Sequence, residues 1–208
     1  MKIIASLSFS SLLLVIAAST AISQTPIKAR TETGKEVILS PDGTWKYAPE
    51  ASPTSSSTVS KPAEAKTLFR RPQGNFGIWY DNEKWTILND ADDEGRVHFK
   101  LRRGDAYAFV LIEEISIPIS TLRQVALDNA KAAAPDARII FEENRTVNKT
   151  QVLCMKIEGT VKGIPFRYYG YYYGGKQGTI QVLTFTGQDL FAKYEQEFTD
   201  FLNGLEIY

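Results

Sequence analysis

The sequence contains one cysteine and one histidine among its 208 residues. A single cysteine excludes an internal disulfide and a thiolate cluster, and a single histidine excludes a zinc site built from several histidines. A nucleophilic triad with an imidazole base would have to use His98, which alternates with Arg96 and Lys100 on the polar side of a strand-like run. We therefore interpret His98 as a solvated strand residue. Cys154 lies in the apolar run QVLCMKIEG, which favours a buried, inert thiol over an intermolecular disulfide.

An excess of charge of one sign is also missing. Lys and Arg together number 24, as do Asp and Glu, so the formal net charge is +0. The dense basic runs, at residues 69–71 and 100–103, are short. The composition therefore argues against nucleic acid as a partner. No pattern in the sequence calls for a cofactor or a metal ion.

The N-terminal segment has the pattern of a cleaved signal peptide. A lysine precedes an apolar, serine-containing stretch at residues 3–18, and Ala21 and Ser23 stand three and one positions before a possible cleavage site ahead of Gln24. A membrane anchor is the alternative, but the stretch is short for a span and no basic cluster follows it. We expect residues 1–23 to be removed, which leaves a secreted or periplasmic protein with no stable membrane insertion.

Three segments are predicted after the signal peptide. In residues 24–47, strand-like runs flank the SPDG sequence at 40–43, which is typical of a type I turn followed by a bulge and predicts a small β-hairpin unit. Residues 48–66 are rich in Ser, Thr, Pro and Ala and predict a flexible linker, with an O-glycosylated stalk as the alternative. Residues 67–208 carry the predicted core.

The segment 67–208 alternates strand-like runs with two helical stretches. One helix is predicted over residues 119–134 with Ser120 as its N-cap, and a second over 188–203, ended by Gly204. Because the helices are few and widely separated, we predict an α+β domain with one antiparallel β-sheet flanked by helices, an α/β/α sandwich. Strands are predicted at residues 77–80, 84–88, 97–101, 107–115, 137–146, 152–161, 166–173 and 179–186.

Four stretches of residues 67–208 form a recognisable series: FGIWY with Trp85, the helix TLRQVALDNAKAAAP, the strands from RIIFEEN to VLTFTG, and the segment DLFAKYEQEFTDFLNGLEI. Together they resemble the PsbP-like fold, a group that includes the photosystem II extrinsic subunit P, a Ran-binding nuclear import factor and small bacterial secreted proteins. The resemblance implies a sandwich used for binding or assembly, and it supplies no catalytic residues. The stretch GKEVILSPDGTWKY resembles a short hairpin unit of bacterial extracytoplasmic proteins.

Three motifs suggest chemistry but have simpler structural interpretations. Residues 90–95, DADDEG, match the start of a calcium loop, but a leucine stands where the bidentate glutamate belongs, so we interpret them as an acidic turn. Residues 174–178, GGKQG, lead into a strand rather than a helix and predict a hairpin loop, not a phosphate loop. Asn144 and Asn148 begin N-glycosylation sequons, which matter only in a eukaryotic secretory pathway.

Residues 166–175, FRYYGYYYGG, contain five tyrosines within six positions. Alternation along a strand divides them into two rows, and because Arg167 is the one charged residue, we interpret a central strand covered on both faces. If one face is open to a ligand, it is the face with Arg167, Tyr169, Tyr171 and Tyr173, which we name the tyrosine row. These four are the candidate binding residues; no catalytic residue or metal ligand is predicted.

The sequence favours a non-catalytic binding or assembly module whose partner is another extracytoplasmic protein or a component of the cell envelope. A small-ligand carrier, with a pocket between sheet and helix, is one alternative. A hydrolase that uses carboxylates and tyrosines is the other. The candidate carboxylates for a hydrolase are the glutamate pairs at residues 113–114 and 142–143. Because the two members of each pair are adjacent on a strand, they point to opposite faces and do not converge on one site.

Overall fold

A computed structural model describes the chain in six stretches: residues 27–31, 36–40, 42–47, 56–70, 75–88 and 96–208. The chain divides into two compact units, Met1–Ala51 and Ser52–Tyr208. The predicted signal peptide and the acidic turn at 90–95 lie outside the described residues. The division into signal peptide, hairpin unit, linker and main domain stays a prediction.

The first unit contains a three-stranded antiparallel sheet. Its strands are β1 (Ile27–Arg30), β2 (Glu36–Leu39) and β3 (Trp45–Tyr47), in the order β1-β2-β3. β2 and β3 form a hairpin in which the Gly43 N–H donates to the carbonyl of Ser40 at 3.0 Å. Gly43 adopts a φ of 81°, a left-handed conformation that glycine accepts without steric cost. The turn chemistry at residues 40–43 therefore matches the observed chain reversal.

The second unit contains eleven strands and two helices in its described residues. An eight-stranded sheet has the order β4-β10-β11-β12-β13-β9-β8-β7, and a three-stranded sheet has the order β14-β6-β5. The strands are β4 (Ser56–Val59), β5 (Thr67–Arg70), β6 (Phe76–Tyr80), β7 (Trp85–Ile87), β8 (Val97–Leu101), β9 (Tyr107–Glu113), β10 (Arg138–Val147), β11 (Thr150–Val161), β12 (Ile164–Gly175), β13 (Gly178–Gly187) and β14 (Leu205–Ile207). The helices are α1 (Ile119–Ala133) and α2 (Phe191–Asn203).

The predicted α/β/α sandwich with one antiparallel sheet is wrong. The protein is mostly β, and its large sheet is mixed because β4 runs parallel to β10. α1 packs on one face of this sheet, but α2 shares the opposite face with the three-stranded sheet. The prediction failed because β4 and β14 are strands of three or four residues whose partners, β10 and β6, are distant in sequence, so local periodicity does not detect them.

β12 lies within the large sheet and is covered on both faces, as FRYYGYYYGG predicted. On the α1 side, Tyr172 is 1% exposed, and on the α2 side Tyr171 is 0% exposed. The core under α1 consists mainly of Leu122, Ala126, Ala130, Leu153, Met155, Ile157, Phe166, Tyr172 and Leu183. The core under α2 includes Ile78, Trp85, Phe99, Val110, Cys154, Tyr169, Tyr171, Val182, Phe191, Phe198, Phe201 and Leu205.

The sequence predicted the end of α2 correctly but not the N-cap of α1. α1 begins after Pro118, which makes no side-chain cap, rather than at the predicted N-cap Ser120. α2 ends at Gly204, as predicted, and a Cβ there would overlap the carbonyl oxygen of Trp79. Glycine thus lets the chain pass β6 closely before β14 pairs with it. Neither described helix is long and apolar enough to cross a membrane.

Candidate binding cleft

β11 and β12 pair along most of their length and then separate. Their register runs from Val161–Ile164 at the hairpin to Leu153–Tyr172. Beyond that point, among the described strands, residues 150–152 pair only with β10 and residues 173–175 only with β13. The sheet therefore opens between two adjacent strands. Main-chain groups on the facing sides of these short segments have no ladder partner.

A cleft of about 310 Å³ lies where the strands separate. This volume is at the lower end of the range of small-molecule sites, about 300–1,000 Å³. The cleft is bordered by the first residue of α1 and by residues of β10, β11 and β12. Its lining residues are Ile119, Asn144, Gln151, Val152, Leu153, Tyr173 and Gly174.

The segment before α1 is fixed against β12 at Gly174. A Cβ at this position would overlap the carbonyl oxygen of Ile117, so glycine alone permits the close approach. The N–H of Ile117 donates to the Thr179 hydroxyl oxygen at 3.0 Å. That hydroxyl donates in turn to the carbonyl of Ile115 at 2.7 Å. These two hydrogen bonds hold the segment so that Ile119 reaches the cleft.

The polar side chains of the cleft are two free carboxamides and one phenol. Asn144 is half-buried and Gln151 is exposed, and neither side chain has a hydrogen-bond partner among the described residues. The hydroxyl of Tyr173 donates to Gln177 Oε1 at 2.5 Å. None of the described residues that line the cleft carries a charge at neutral pH. Its described lining therefore offers uncharged donors and acceptors beside apolar side chains.

The tyrosine row lies on the α2 side of β12 and reaches the cleft at one end. Tyr169 and Tyr171 are buried, whereas Tyr173 is half-buried and lines the cleft. Arg167 is at the other end, where its Nη2 donates to Glu158 at 2.8 Å. The structure thus brings one of the four predicted residues to the cleft. A binding role for the whole row stays a prediction.

A buried cluster around Arg145, which the sequence did not single out, supports the tyrosine row. Arg145 Nη1 donates to the hydroxyls of Tyr169 and Tyr171 at 2.8 and 2.7 Å. Its Nε and Nη2 donate to Glu143, with the Nε bond at 2.6 Å. The Tyr171 hydroxyl donates to Asn203 Oδ1 at 2.7 Å, which extends the cluster into α2. The sequence pattern that could have predicted this ion pair is the spacing of Glu143 and Arg145, because residues two apart on a strand face the same side.

Burial sets the ionisation state of this cluster. Loss of solvation raises the pKa of Tyr171 well above its usual value and raises the pKa of Cys154 to about 11. For Arg145, burial acts to lower the pKa, but the hydrogen bond with Tyr171 and neighbouring groups outweigh it, so the pKa is raised overall. At neutral pH Tyr171 and Cys154 are therefore neutral, and Arg145 is a cation paired with Glu143. Cys154 is fully buried, as its apolar run predicted.

The carboxylates do not converge on the cleft. Glu142 accepts a hydrogen bond from Arg123 Nε at 2.7 Å on the α1 side, whereas Glu143 binds Arg145 on the α2 side. A second recess, of about 20 Å³, is lined in part by acidic residues but has room for about one water molecule. Among the described residues, no group of three or more His, Cys, Asp and Glu side chains is placed to hold a metal ion.

No family model and no curated protein matches the chain. Among solved structures, it is similar to the solution structure of cyanobacterial PsbP from Synechocystis sp. PCC 6803, with a TM-score of 0.53 and 13% sequence identity over 71% of this chain and 95% of that chain. At this identity the likeness concerns the fold alone, and it supports a PsbP-like fold. These comparisons do not show the expected likeness of GKEVILSPDGTWKY to extracytoplasmic hairpin units.

Two other solved structures are similar at lower scores. A protein from Bacteroides thetaiotaomicron VPI-5482 has a TM-score of 0.46 and 14% identity over 69% of this chain and 49% of that chain. A Pseudomonas aeruginosa protein of unknown function has a TM-score of 0.46 and 12% identity over 64% of this chain and 90% of that chain.

Proposed function

We propose that this protein is a non-catalytic binding module that acts outside the cytoplasm and holds its ligand or partner in the cleft between β11 and β12. The observation that carries the proposal is the separation of two adjacent strands inside a well-packed sheet, next to two free carboxamides. Main-chain groups left unpaired in a sheet must be satisfied by water or by a ligand. The cleft is the place in the described protein where such groups, free side chains and open volume occur together.

The lining of the cleft supports binding rather than catalysis. The described residues of the lining include no carboxylate, imidazole, amine or thiol that could serve as a general acid, base or nucleophile. Tyr173 is its one titratable side chain, and the hydroxyl is already hydrogen-bonded to Gln177. The carboxylates of Glu143 and Glu158 are neutralised by arginines away from the cleft. The described residues thus place no carboxylate beside Tyr173 in the cleft.

The proposed location and partner rest on the N-terminal pattern. Residues 1–23 have the features of a signal peptide, so we place the mature protein in the periplasm or the secreted space. The expected partner is then another extracytoplasmic protein or an envelope component. Within the tyrosine row, we assign Tyr173 to the border of the cleft and Tyr169 and Tyr171 to its support. Arg167 lies at the opposite end of the row, where it binds Glu158.

The proposal is tested by mapping where small uncharged fragments bind residues 24–208. We expect backbone amide chemical shifts to change at Gln151, Val152, Tyr173 and Gly174 when fragments are added. An Asn144→Asp variant should weaken these changes, because it places a charge in an uncharged cleft. Asn82→Asp makes the same chemical change in an exposed turn and should leave them unaltered. Fragment binding confined to other surfaces would refute the proposal.

A small-ligand carrier is the second candidate, and the volume of the cleft favours it. About 310 Å³ suits a compact organic molecule better than a folded partner. Native mass spectrometry of the protein purified from its own compartment distinguishes the two. A carrier should retain a bound small molecule that Asn144→Asp releases, whereas a partner-binding module should be recovered without one.

A further inference from the structure

We infer that the cleft receives an extended, uncharged polypeptide segment, which it binds through main-chain hydrogen bonds. This inference rests on the proposed function, because it names the chemical class of the ligand for the same cleft. Three independent features of the cleft support it: the geometry of the two strands, the chemistry of the free side chains, and the lack of charge among the described lining residues.

The strand geometry favours a polypeptide backbone. Each of the segments 150–152 and 173–175 keeps its β conformation because its outer side is paired, with β10 and β13 respectively. Their inner sides therefore present donors and acceptors at the regular spacing of a strand edge. A strand edge is complementary to another extended chain, which is the basis of recognition by β-strand addition. Here two such edges face each other across one opening.

The free side chains match the same ligand. A carboxamide has a donor and an acceptor side by side, so Asn144 and Gln151 can each bind the N–H and the C=O of one residue of an extended chain, which point to the same side. Neither side chain is used within the described protein. Ile119 and Leu153 supply apolar lining, and Tyr173 and Gly174 border the opening. This combination suits a backbone with small apolar side chains.

The lack of charge among the described lining residues narrows the chemical class of the ligand further. A carboxylate, phosphate or ammonium group in this cleft would lose water without gaining an ion partner, and that loss opposes binding. A neutral polypeptide or a neutral saccharide meets this condition. The two strand edges favour the polypeptide, because a saccharide has no repeating N–H and C=O pattern to pair with them. The saccharide is therefore the competing outcome of the test.

The probes are a pool of acetylated and amidated peptides of about six uncharged residues, a copy of the pool with N-methylated backbones, and a panel of neutral oligosaccharides of similar length. Hydrogen exchange of the bound protein gives the location. The amides of Gln151, Val152, Tyr173 and Gly174 that face the opening should exchange readily in the free protein and be protected by a bound peptide.

We expect at least one peptide to bind and its N-methylated copy to fail. Asn144→Asp and Gln151→Glu should each weaken binding about tenfold or more, whereas Asn82→Asp should not change it. Gln151 is exposed, so its variant should fold even if the Asn144 variant does not. Oligosaccharide binding with protection at the same amides, or equal binding of N-methylated peptides, would overturn the inference and leave the proposed function standing. Failure of peptides, oligosaccharides and fragments alike to protect these amides would overturn both.

Discussion

The Nη1 atom of Arg145 donates a hydrogen bond to the hydroxyl of Tyr171 at 2.7 Å, within the sheet core on the α2 side. The same hydroxyl donates to Asn203 Oδ1, also at 2.7 Å. One phenol thus connects β10 to the end of α2 through the central strand β12. Because Tyr171 is fully buried, this connection has no water to replace it if the hydroxyl is removed.

Tyr171→Phe should therefore lower the free energy of unfolding by about 1–3 kcal/mol, because it leaves Asn203 and one donor of Arg145 unsatisfied. Tyr171→Ala should cost more, about 3–5 kcal/mol, since it also removes a buried ring. Urea denaturation followed by circular dichroism measures both. The control is Tyr173→Phe, which removes a hydroxyl that is hydrogen-bonded to the exposed Gln177. It should change the free energy of unfolding by about 0.5 kcal/mol or less. Unchanged melting of Tyr171→Ala together with lost binding would contradict the structural role.

Asn148 should be more important for stability than its surface turn suggests. Its Nδ2 donates to the carbonyls of Asn203 at 2.9 Å and Leu205 at 2.7 Å, and its Oδ1 accepts from the N–H of Lys61 at 2.8 Å. Asn148→Gly keeps the left-handed φ of 46° but removes all three bonds, so we expect a loss of about 1–3 kcal/mol in urea denaturation.

The matched control for this turn is Lys149→Gly. Lys149 is exposed and has a φ of 71°, a conformation that costs a lysine more than a glycine. This variant should be neutral or slightly stabilising. If both glycine variants lose the same stability, the backbone of the turn and not the Asn148 side chain is responsible.

A glycan on Asn148 Nδ2 would replace one of its two donated bonds, so use of this sequon is incompatible with the observed turn.

Stability should fall at alkaline pH. The pKa of Cys154 is raised by burial from 9.0 to about 11, and burial also raises the pKa of Tyr171 and Tyr172 above 10. Below about pH 9 the thiol keeps its proton in both states, so its contribution to stability is fully present. Above that pH the unfolded chain loses the proton first, and the free energy of unfolding declines as the pH rises through the folded value.

Urea denaturation at a series of pH values from about 8 to 11 measures this decline. Phenolate absorbance should show Tyr171 and Tyr172 ionising only as the protein unfolds, because both side chains are buried. In a Cys154→Ala variant the early part of the decline, between about pH 9 and 10, should become shallower. A free energy of unfolding that stays constant up to pH 11 would be inconsistent with the burial of these groups.

Gly174→Ala should disturb the cleft through the segment before α1. The added methyl group would overlap the carbonyl oxygen of Ile117. This oxygen belongs to a segment that Thr179 holds in place by accepting from the Ile117 N–H and donating to the Ile115 carbonyl. We expect a loss of about 1–3 kcal/mol and faster hydrogen exchange in residues 115–119. Gly187→Ala is the control, since its methyl group would meet only the movable side chain of Asp189. Equal effects of the two substitutions would show that the approach at Gly174 is not restrictive.

The sequence located those parts of the fold that have strong local patterns. α1 was predicted over residues 119–134 and found at Ile119–Ala133, and the alternation along FRYYGYYYGG assigned each tyrosine to its correct face. The GGKQG stretch closes the β12–β13 hairpin, as expected. His98 lies on β8 between buried Val97 and Phe99, also as expected. In each case the signal lies within about one turn or one strand.

The remaining features depend on pairing between distant segments. β4 has the sequence SSTV, within a stretch whose composition resembles a linker, and it is a strand because β10 and the Ser57–Glu143 hydrogen bond hold it. Arg145 could be linked to Tyr169 and Tyr171 only once the register of β10, β11 and β12 was known. The cleft lies where the pairing of β11 with β12 ends, and no local sequence pattern marks where two strands stop pairing.

The pairing of β14 with β6 also affects how the protein reaches its native state. The indole N–H of Trp79 donates to Glu206 at 2.5 Å, across 127 residues of sequence. Closing a loop of that length costs entropy on the order of 4 kcal/mol before the small β14-β6-β5 sheet gains any packing energy. We therefore expect this sheet to assemble late and the refolding rate to be low for a protein of this size. Until then Phe76 and Ile78, both fully buried in the native protein, remain accessible to a chaperone or to another unfolded chain.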